Sequence, residues 1–277
     1  MNGCHVGDDV VFIAPVSSLM KGAGTTGELA DEALYGMAAS IVDKENGMLK
    51  VNMRYRYEGF VEPQCVIYGV DVKEWEQRAS YRVIAPFADI QEEPSFQSNA
   101  ITTLPRGALL EIGDPFYDEK GKSEWLSAIL ADGQNGFVRS HSVRLARKWQ
   151  ELDPERMRKN VIADAMLYMG AQYRWGGKSH YGIDCSGLTA MAYMLNGLFI
   201  YRDARIVEGY PVKEISAEAA QPADMLFWPG HIGLYLGDGL YIHATGKSSG
   251  VVINSLKPEH PEYREDLAIV EKWGSVF

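Results

Sequence analysis

The sequence predicts an α+β protein in which two small β-barrel modules precede a domain of helices followed by a sheet. Two observations predict this architecture. Short apolar segments separated by turn residues fill the first half of the chain, and helical spacing of apolar residues begins at about residue 153. The predicted domains are residues 1–85, 86–149 and 150–277.

The bulk composition excludes several classes of protein. A chain of 277 residues with 46% hydrophobic content can fill two or three cores, and its net charge of −10 is spread without a long run of like charge. No apolar run approaches the roughly 18 residues of a membrane span, and the first residues lack the features of a signal peptide. We therefore expect no nucleic-acid or membrane partner, and a cytoplasmic location unless a leader was removed.

The first half of the chain reads as a repeated β domain. Asn46-Gly47 lies between two alternating apolar runs, which is a strong hairpin signal. Both halves of this region pass through a strand, a charged turn containing glycine, a second strand, and then a Gly-Phe-Val step. These steps are Gly59-Phe60-Val61 and Gly136-Phe137-Val138.

The last domain begins with a helix. Asp153 is a candidate N-cap and Pro154 suits the first helical position. A second helix is predicted over 185–195, ended by Asn196-Gly197. Strands are predicted within residues 223–245 and 250–256.

Cys185 is the candidate nucleophile, because a cysteine in the first turn of a helix has the N-terminal dipole available to favour its thiolate. His231 and His243 follow on adjacent predicted strands. A three-residue loop, Gly237-Asp238-Gly239, would place both histidines on one face, whereas a two-residue loop, Asp238-Gly239, would separate them. We expect the three-residue loop, in which one imidazole activates the thiol and the second orients the first.

A single cysteine or histidine more often has a structural role than a catalytic one. Free cysteines are commonly buried, and Cys4 and Cys65 are assigned to the core. Three cysteines far apart also argue against a disulfide framework and fit a reducing compartment. The remaining histidines are assigned structural or exposed roles: His5, His141, His180 and His260. A metal site built from Cys185, His231 and His243 is a weaker alternative, and no cofactor is expected.

Three separated motifs, "YRWGG", "DCSGL" and "ADMLFWPGHIGLYLGDGLYIHA", resemble the NlpC/P60 family of papain-like cysteine peptidases over about residues 152–277. The two β modules resemble bacterial SH3 domains. Their tandem arrangement is similar to the YkfC-like subgroup, whose members are γ-D-glutamyl-diamino-acid endopeptidases acting on peptidoglycan peptides.

The resemblance implies roles for individual residues. Cys185 would be the nucleophile, His231 the base, His243 its orienter, and Tyr173 a residue near the oxyanion. The free L-alanyl amine of the substrate would be held by four residues: Asp184, Ser186, Asp203 and Tyr57. Trp175 either lines the cleft or is a core aromatic.

The sequence departs from the subgroup pattern at three positions. Phe60 replaces a usual tryptophan, and Ala204 replaces a usual serine. The acidic ligand of the first β module falls on Ala30, with Glu28 and Asp31 nearby.

The resulting functional expectation is hydrolysis of the γ-D-glutamyl–diamino acid bond, with L-Lys or meso-diaminopimelate after the glutamate, in recycling of murein peptides that carry a free N-terminal L-Ala. Two alternatives stay open. The first is a papain-like amidase or acyltransferase that acts on another amide, and the second is an inactive wall-binding protein. The peptide substrate is the expected partner, and the protein itself is expected to be a monomer.

Overall fold

The structure is a computed structural model, and it describes residues 3–24, 27–117, 121–149 and 153–277. The chain divides into two compact units, Met1–Ala146 and Arg147–Phe277. The boundary predicted at residue 85 lies inside the first unit, and the division into three domains stays a prediction.

The first unit contains two antiparallel sheets of seven strands each. The first sheet is formed by β1 (Asp9–Phe12), β2 (Val16–Met20), β3 (Leu29–Leu34), β4 (Ala38–Glu45), β5 (Met48–Met53), β6 (Glu58–Val61) and β7 (Val66–Ile67). The second is formed by β8 (Tyr81–Val83), β9 (Phe87–Gln91), β10 (Ala100–Pro105), β11 (Leu109–Phe116), β12 (Trp125–Ile129), β13 (Asn135–Arg139) and β14 (Val143–Leu145). The strand orders are β3-β2-β6-β5-β4-β1-β7 and β10-β9-β13-β12-β11-β8-β14. These two orders are identical strand for strand, so the internal repeat is confirmed.

The repeated Gly-Phe-Val steps lie on equivalent strands, β6 and β13. A Cβ atom on Gly59 would lie 2.7 Å from the Cβ of Leu19 on β2, and one on Gly136 would lie 2.6 Å from the Cγ2 of Ile90 on β9. Leu19 and Ile90 are fully buried and occupy equivalent strands. Glycine therefore occurs at both positions because a buried side chain already occupies the space that a Cβ atom would need.

The predicted Asn46-Gly47 hairpin is confirmed. Both residues have positive φ, 48° and 80°, and they join β4 to β5 with Glu45 opposite Met48. Two-residue hairpin turns of this kind favour asparagine and glycine because both central residues need left-handed backbone.

A short helix, α1 (Val72–Arg78), was not predicted from the sequence. Asp71 caps it by accepting a hydrogen bond from the Glu74 amide, and the Trp75 indole donates to the Gly36 carbonyl at 2.8 Å. Trp75 lies in a core that includes Val11 of the first sheet and Leu110 of the second. The helix thus helps to join the two sheets into one unit.

The second unit has the predicted α+β layout. Its helices are α2 (Pro154–Met166) and α3 (Cys185–Met194), and a two-stranded ribbon between them contains β15 (Lys178–Ser179) and β16 (Gly182–Ile183). A six-stranded antiparallel sheet follows, formed by β17 (Lys213–Ile215), β18 (Met225–Trp228), β19 (His231–Gly237), β20 (Leu240–Thr245), β21 (Gly250–Ser255) and β22 (Lys272–Ser275). Its order is β17-β22-β18-β19-β20-β21.

Both predicted helix starts are confirmed. The Asp153 carboxylate accepts a hydrogen bond from the Arg156 amide at 3.0 Å at the start of α2, and Asp184 caps α3. Every residue of α3 is buried, and the helix packs against β19 and β20. No helix in the described ranges has both the length and the apolar character that a membrane crossing needs.

Gly136→Ala should lower the free energy of unfolding by about 1–3 kcal/mol, because the added methyl group meets the Ile90 side chain in a packed core. Gly113→Ala is the matched control on β11, where a Cβ would lie at an ordinary 3.4 Å from the Ser127 hydroxyl oxygen. Urea titration followed by tryptophan fluorescence measures both variants. Equal midpoints for the two variants would contradict the packing account.

Candidate active site

Cys185 is the first residue of α3, and its thiol is buried beside the start of β19. The backbone N–H groups of Ile232 and Ser186 lie close enough to the sulfur to favour its thiolate and so to oppose a rise in its pKa. Because Ile232 directly follows His231, the thiol lies next to the backbone of the strand that carries the predicted base.

Asp184 organises the loop in front of this helix. One carboxylate oxygen accepts hydrogen bonds from the Gly187 amide at 2.6 Å and the Ser186 hydroxyl at 3.1 Å. The other accepts from the Gly176 amide at 2.8 Å. Arg202, whose side chain is almost fully buried, forms an ion pair with the same carboxylate at 3.1 Å.

Arg202 also binds the glycine-rich loop directly. Its guanidinium donates to the carbonyl oxygens of Gly176 at 3.0 Å and Gly177 at 3.2 Å, and to the Ser186 hydroxyl at 2.7 Å. A buried ion pair with this many additional hydrogen bonds holds its partners in one geometry. Arg202 is not among the site residues predicted from the sequence, and no sequence motif indicates its pair with Asp184.

These contacts bear on the expected roles of Asp184 and Ser186. Both oxygens of Asp184 already accept from protein donors, which favours a capping and positioning role. Direct contact of Asp184 with a substrate amine stays a prediction. Glycine at position 187 is required by packing, since a Cβ there would lie 2.2 Å from the Gly177 carbonyl oxygen. The close approach is between helix and loop.

His231 and His243 lie on one face of the β19–β20 hairpin. The Nε2 atom of His231 is 2.6 Å from the Nδ1 atom of His243. His243 is fully buried, whereas His231 is half-buried at the start of its strand. The expected same-face arrangement is therefore present.

The loop that achieves it differs from the expected one. Gly237 pairs with Leu240, so the turn has two residues, Asp238-Gly239, both with positive φ. A bulge between Tyr235 and Gly237 shifts the register by one, and Leu234 then pairs with Ile242. The expected three-residue loop is wrong, and the bulge restores the register that this loop would have given.

A third polar residue, Asn254 on β21, extends the series of hydrogen bonds that begins with His231 and His243. Its Oδ1 atom is 2.9 Å from His243 Nε2, and its Nδ2 atom donates to the Glu262 carbonyl at 3.0 Å. Asn254 was missed because its position depends on the β20–β21 register. The available signal was a single amide side chain inside the apolar run "GVVINSL".

Burial is the largest cause of the pKa shifts of Cys185, His231 and His243. It raises the pKa of Cys185 to about 11; Asp184 raises it further, and the Ile232 and Ser186 amides oppose the shift. Burial also lowers the pKa of His231 to about 4, assisted by the positive charge of Arg264. The pKa of His243 falls to about 4 for the same first reason, although its hydrogen bond to Asn254 opposes the shift.

Both shifts favour the neutral forms, a thiol at Cys185 and a neutral imidazole at His231, at pH 7. The sequence had suggested that the helix dipole and a histidine would favour a thiolate. In the structure, burial of the thiol disfavours the thiolate, and the nearby backbone N–H groups of Ile232 and Ser186 offset this effect only in part.

Tyr173 lies in the electrostatic environment of Cys185. Burial, followed by the nearby Cys185 and Asp184, raises its pKa to about 12. Its backbone N–H donates to the Ser249 carbonyl at 2.9 Å, which ties this segment to the end of the sheet. Trp175, two residues later, is 59% exposed and is not a core aromatic.

The other predicted ligands are placed as follows. Asp203 is half-buried in the loop after α3, and its carbonyl accepts from the Arg205 amide at 2.7 Å. Tyr57 is half-buried in the first unit, between β5 and β6, and its role stays a prediction. Of the acidic candidates there, Asp31 is fully buried and accepts from the Tyr55 hydroxyl at 2.5 Å, whereas Glu28 pairs with Lys21.

The described residues contain no group of three or more His, Cys, Asp or Glu side chains placed to hold a metal ion. What the site does contain is a thiol at a helix start, two hydrogen-bonded imidazoles and an amide behind them. This arrangement can carry out nucleophilic attack with proton transfer to an oriented base.

Comparison with known proteins gives concordant results. Residues 170–269 match the model of the NlpC/P60 family. The chain is 42% identical over 272 residues to Dipeptidyl-peptidase 6 of Lysinibacillus sphaericus, covering 97% of this chain and 100% of that relative. It is 24% identical over 257 residues to the gamma-D-glutamyl-L-lysine dipeptidyl-peptidase of Bacillus cereus, covering 87% of this chain and 74% of that relative.

The fold agrees with a solved structure. A crystal structure of an NlpC/P60 family protein from Bacillus cereus superposes with a TM-score of 0.76 at 19% identity, covering 96% of this chain and 98% of the other. Together with the whole-length relative, this match identifies the fold expected from the three motifs. The chain belongs to the NlpC/P60 family, and it is a cysteine peptidase of that family.

Proposed function

We propose that this peptidase hydrolyses the γ-D-glutamyl–diamino acid bond of peptidoglycan-derived peptides, with Cys185 as its nucleophile. One observation carries the proposal: Cys185 begins α3 with its thiol beside β19, which carries His231, and His231 is hydrogen-bonded to His243 on β20. Two relatives, a dipeptidyl-peptidase and a gamma-D-glutamyl-L-lysine dipeptidyl-peptidase, support the choice of bond.

The first chemical step forms a thioester. As the sulfur of Cys185 attacks the γ-carbonyl carbon, the thiol proton moves to His231, and the carbonyl electron pair moves to oxygen. The Cys185 N–H and Tyr173 are proposed to stabilise that oxyanion. When the carbon–nitrogen bond breaks, His231 returns the proton to the departing α-amine of the diamino acid.

The second step uses water. His231 takes a proton from a water molecule, which attacks the thioester carbonyl, and the restored thiol leaves with that proton. Because Cys185 and His231 are both neutral at rest, charge separation occurs only with the acyl group in place. The water-excluded site then makes each aligned dipole effective.

The amine end of the substrate would be recognised by the remaining predicted residues. We propose that the two repeated sheets are bacterial SH3 domains and that Asp203, Ser186 and Asp184 form a pocket for the amine. Tyr57 stays a predicted ligand of that amine. Trp175 is exposed enough to line that pocket. Recycling of imported wall peptides in the cytoplasm is part of the same proposal.

Cys185→Ala should reduce kcat/KM for L-Ala-γ-D-Glu-L-Lys by at least about a thousandfold, because no other group in the site can form the thioester. Mass spectrometry of the products should show L-Ala-γ-D-Glu and free lysine. Cys65→Ala, which removes a half-buried thiol of the first unit, is the matched control and should retain activity. Wild-type protein that leaves the γ bond intact would instead favour an amidase, an acyltransferase or an inactive wall-binding protein.

The acid limb of kcat/KM should have its midpoint near the lowered pKa of about 4 for His231, and not near the ordinary 6.5. The sign follows from burial: the active form is the neutral imidazole, and a lowered pKa extends that form to lower pH. Initial rates between pH 3.5 and 8 measure the midpoint, with the carboxyl titration of the peptide measured separately by NMR. A midpoint at 6.5 or above would contradict the proposed protonation states.

A further inference from the structure

We propose that Asn254 is a positioning residue that fixes the tautomers of both histidines, so that the Nδ1 atom of His231 is left unprotonated to receive the thiol proton. The proposal rests on the base role of His231 in the proposed function. It concerns a residue that neither the sequence motifs nor the expected nucleophile, base and orienter include.

The orientation of the Asn254 amide is set by a backbone group. A carbonyl oxygen can only accept hydrogen bonds, so the side-chain atom 3.0 Å from the Glu262 carbonyl oxygen must be the NH₂ group. The opposite side of the amide, which faces His243, must then be the oxygen. Asn254 is buried, so solvent does not offer the flipped amide other partners.

The Glu262 carbonyl is itself fixed. It also accepts from the backbone N–H of Ser255 at 3.0 Å, and the Ser255 carbonyl accepts from the Arg264 amide at 3.3 Å. These bonds join β21 to the segment that follows it. The carbonyl that orients Asn254 is therefore part of a backbone ladder and not of a mobile side chain.

The orientation of Asn254 determines the first tautomer. Its Oδ1 atom, 2.9 Å from His243 Nε2, accepts a hydrogen bond, so that nitrogen must carry the hydrogen. In a neutral imidazole the other nitrogen, Nδ1, then has no hydrogen and acts as an acceptor. His243 is fully buried, so its two ring nitrogens depend on protein partners.

The first tautomer determines the second. His243 Nδ1 lies 2.6 Å from His231 Nε2, and an acceptor at this distance requires a donor. His231 Nε2 therefore carries the hydrogen, which leaves Nδ1 as the only nitrogen of His231 able to accept a proton. The burial that lowers the pKa of both rings keeps them neutral at pH 7, which the tautomer assignment requires.

Without the Asn254 oxygen, this order can reverse. His243 could then carry its hydrogen on Nδ1 and donate to His231 Nε2, and His231 would hold its own hydrogen on Nδ1. That tautomer cannot take the thiol proton, so the thiol would lack a base although both histidines remain in place.

The test compares Asn254→Leu with Asn254→Asp. Leucine removes the acceptor at similar volume, and the Glu262 carbonyl keeps its bond from the Ser255 amide. Aspartate keeps an acceptor toward His243, although its second oxygen faces the Glu262 carbonyl. Asn196→Leu is the control for loss of a buried, hydrogen-bonded asparagine in the same unit, because Asn196 bonds to Asp164 and Arg147 at 2.9 and 2.7 Å.

Two readouts separate positioning from folding. Nitrogen NMR of histidine-labelled protein at pH 7, with signals assigned from His231→Asn and His243→Asn, should show both wild-type rings protonated at Nε2. Asn254→Leu should show Nδ1–H populations and a kcat lower by about 10- to 100-fold at similar KM. Asn254→Asp should restore the wild-type tautomers and most of kcat, and Asn196→Leu should lower stability without changing either readout.

A wild-type His231 protonated at Nδ1 would overturn the proposal, as would Asn254→Leu with unchanged tautomers and kcat. If Asn254→Leu does not fold, the wild-type protein and Asn254→Asp still test the proposal. Both histidines must be protonated at Nε2 in each of these two proteins. The NMR result needs no substrate. A failure of the proposed γ-D-glutamyl specificity would therefore appear only in the product analysis and is distinct from a failure here.

Discussion

The hydrogen bond of 2.6 Å between His231 Nε2 and His243 Nδ1 is the interaction on which the active site depends. It exists only because β19 and β20 pair in one register, which the bulge before Gly237 sets. A slip of one residue would turn one imidazole to the other face of the sheet. In the proposed tautomer relay, the same bond links Asn254, two strands away from β19, to the protonation of His231.

Much of this organisation could be predicted from local sequence signals. Three local signals specify the backbone around them, and the structure confirms each: Asn46-Gly47, Asp153-Pro154 and the helix start at Cys185. The bulge could not be predicted, because several loop geometries fit the residues around Asp238. The Asp184–Arg202 pair and Asn254 depend on contacts between separate segments, and no periodicity in the sequence reports such contacts.

The protonation states follow from burial more than from the helix dipole. A neutral thiol with a pKa of about 11 is a weak nucleophile toward adventitious electrophiles, since only the thiolate reacts. A neutral His231 beside it is available as a base across the physiological range. In the proposed mechanism, the thiol proton moves to His231 only when the acyl group of the substrate is in place.

The most direct test of this account is the alkylation rate of Cys185 by iodoacetamide as a function of pH, followed by mass spectrometry of the peptide that contains this cysteine. Because burial raises the pKa of the thiol to about 11, the rate should rise continuously through pH 9 and 10. A rate that is already at a plateau between pH 5 and 8 would show a preformed thiolate–imidazolium pair, and it would contradict the neutral resting state.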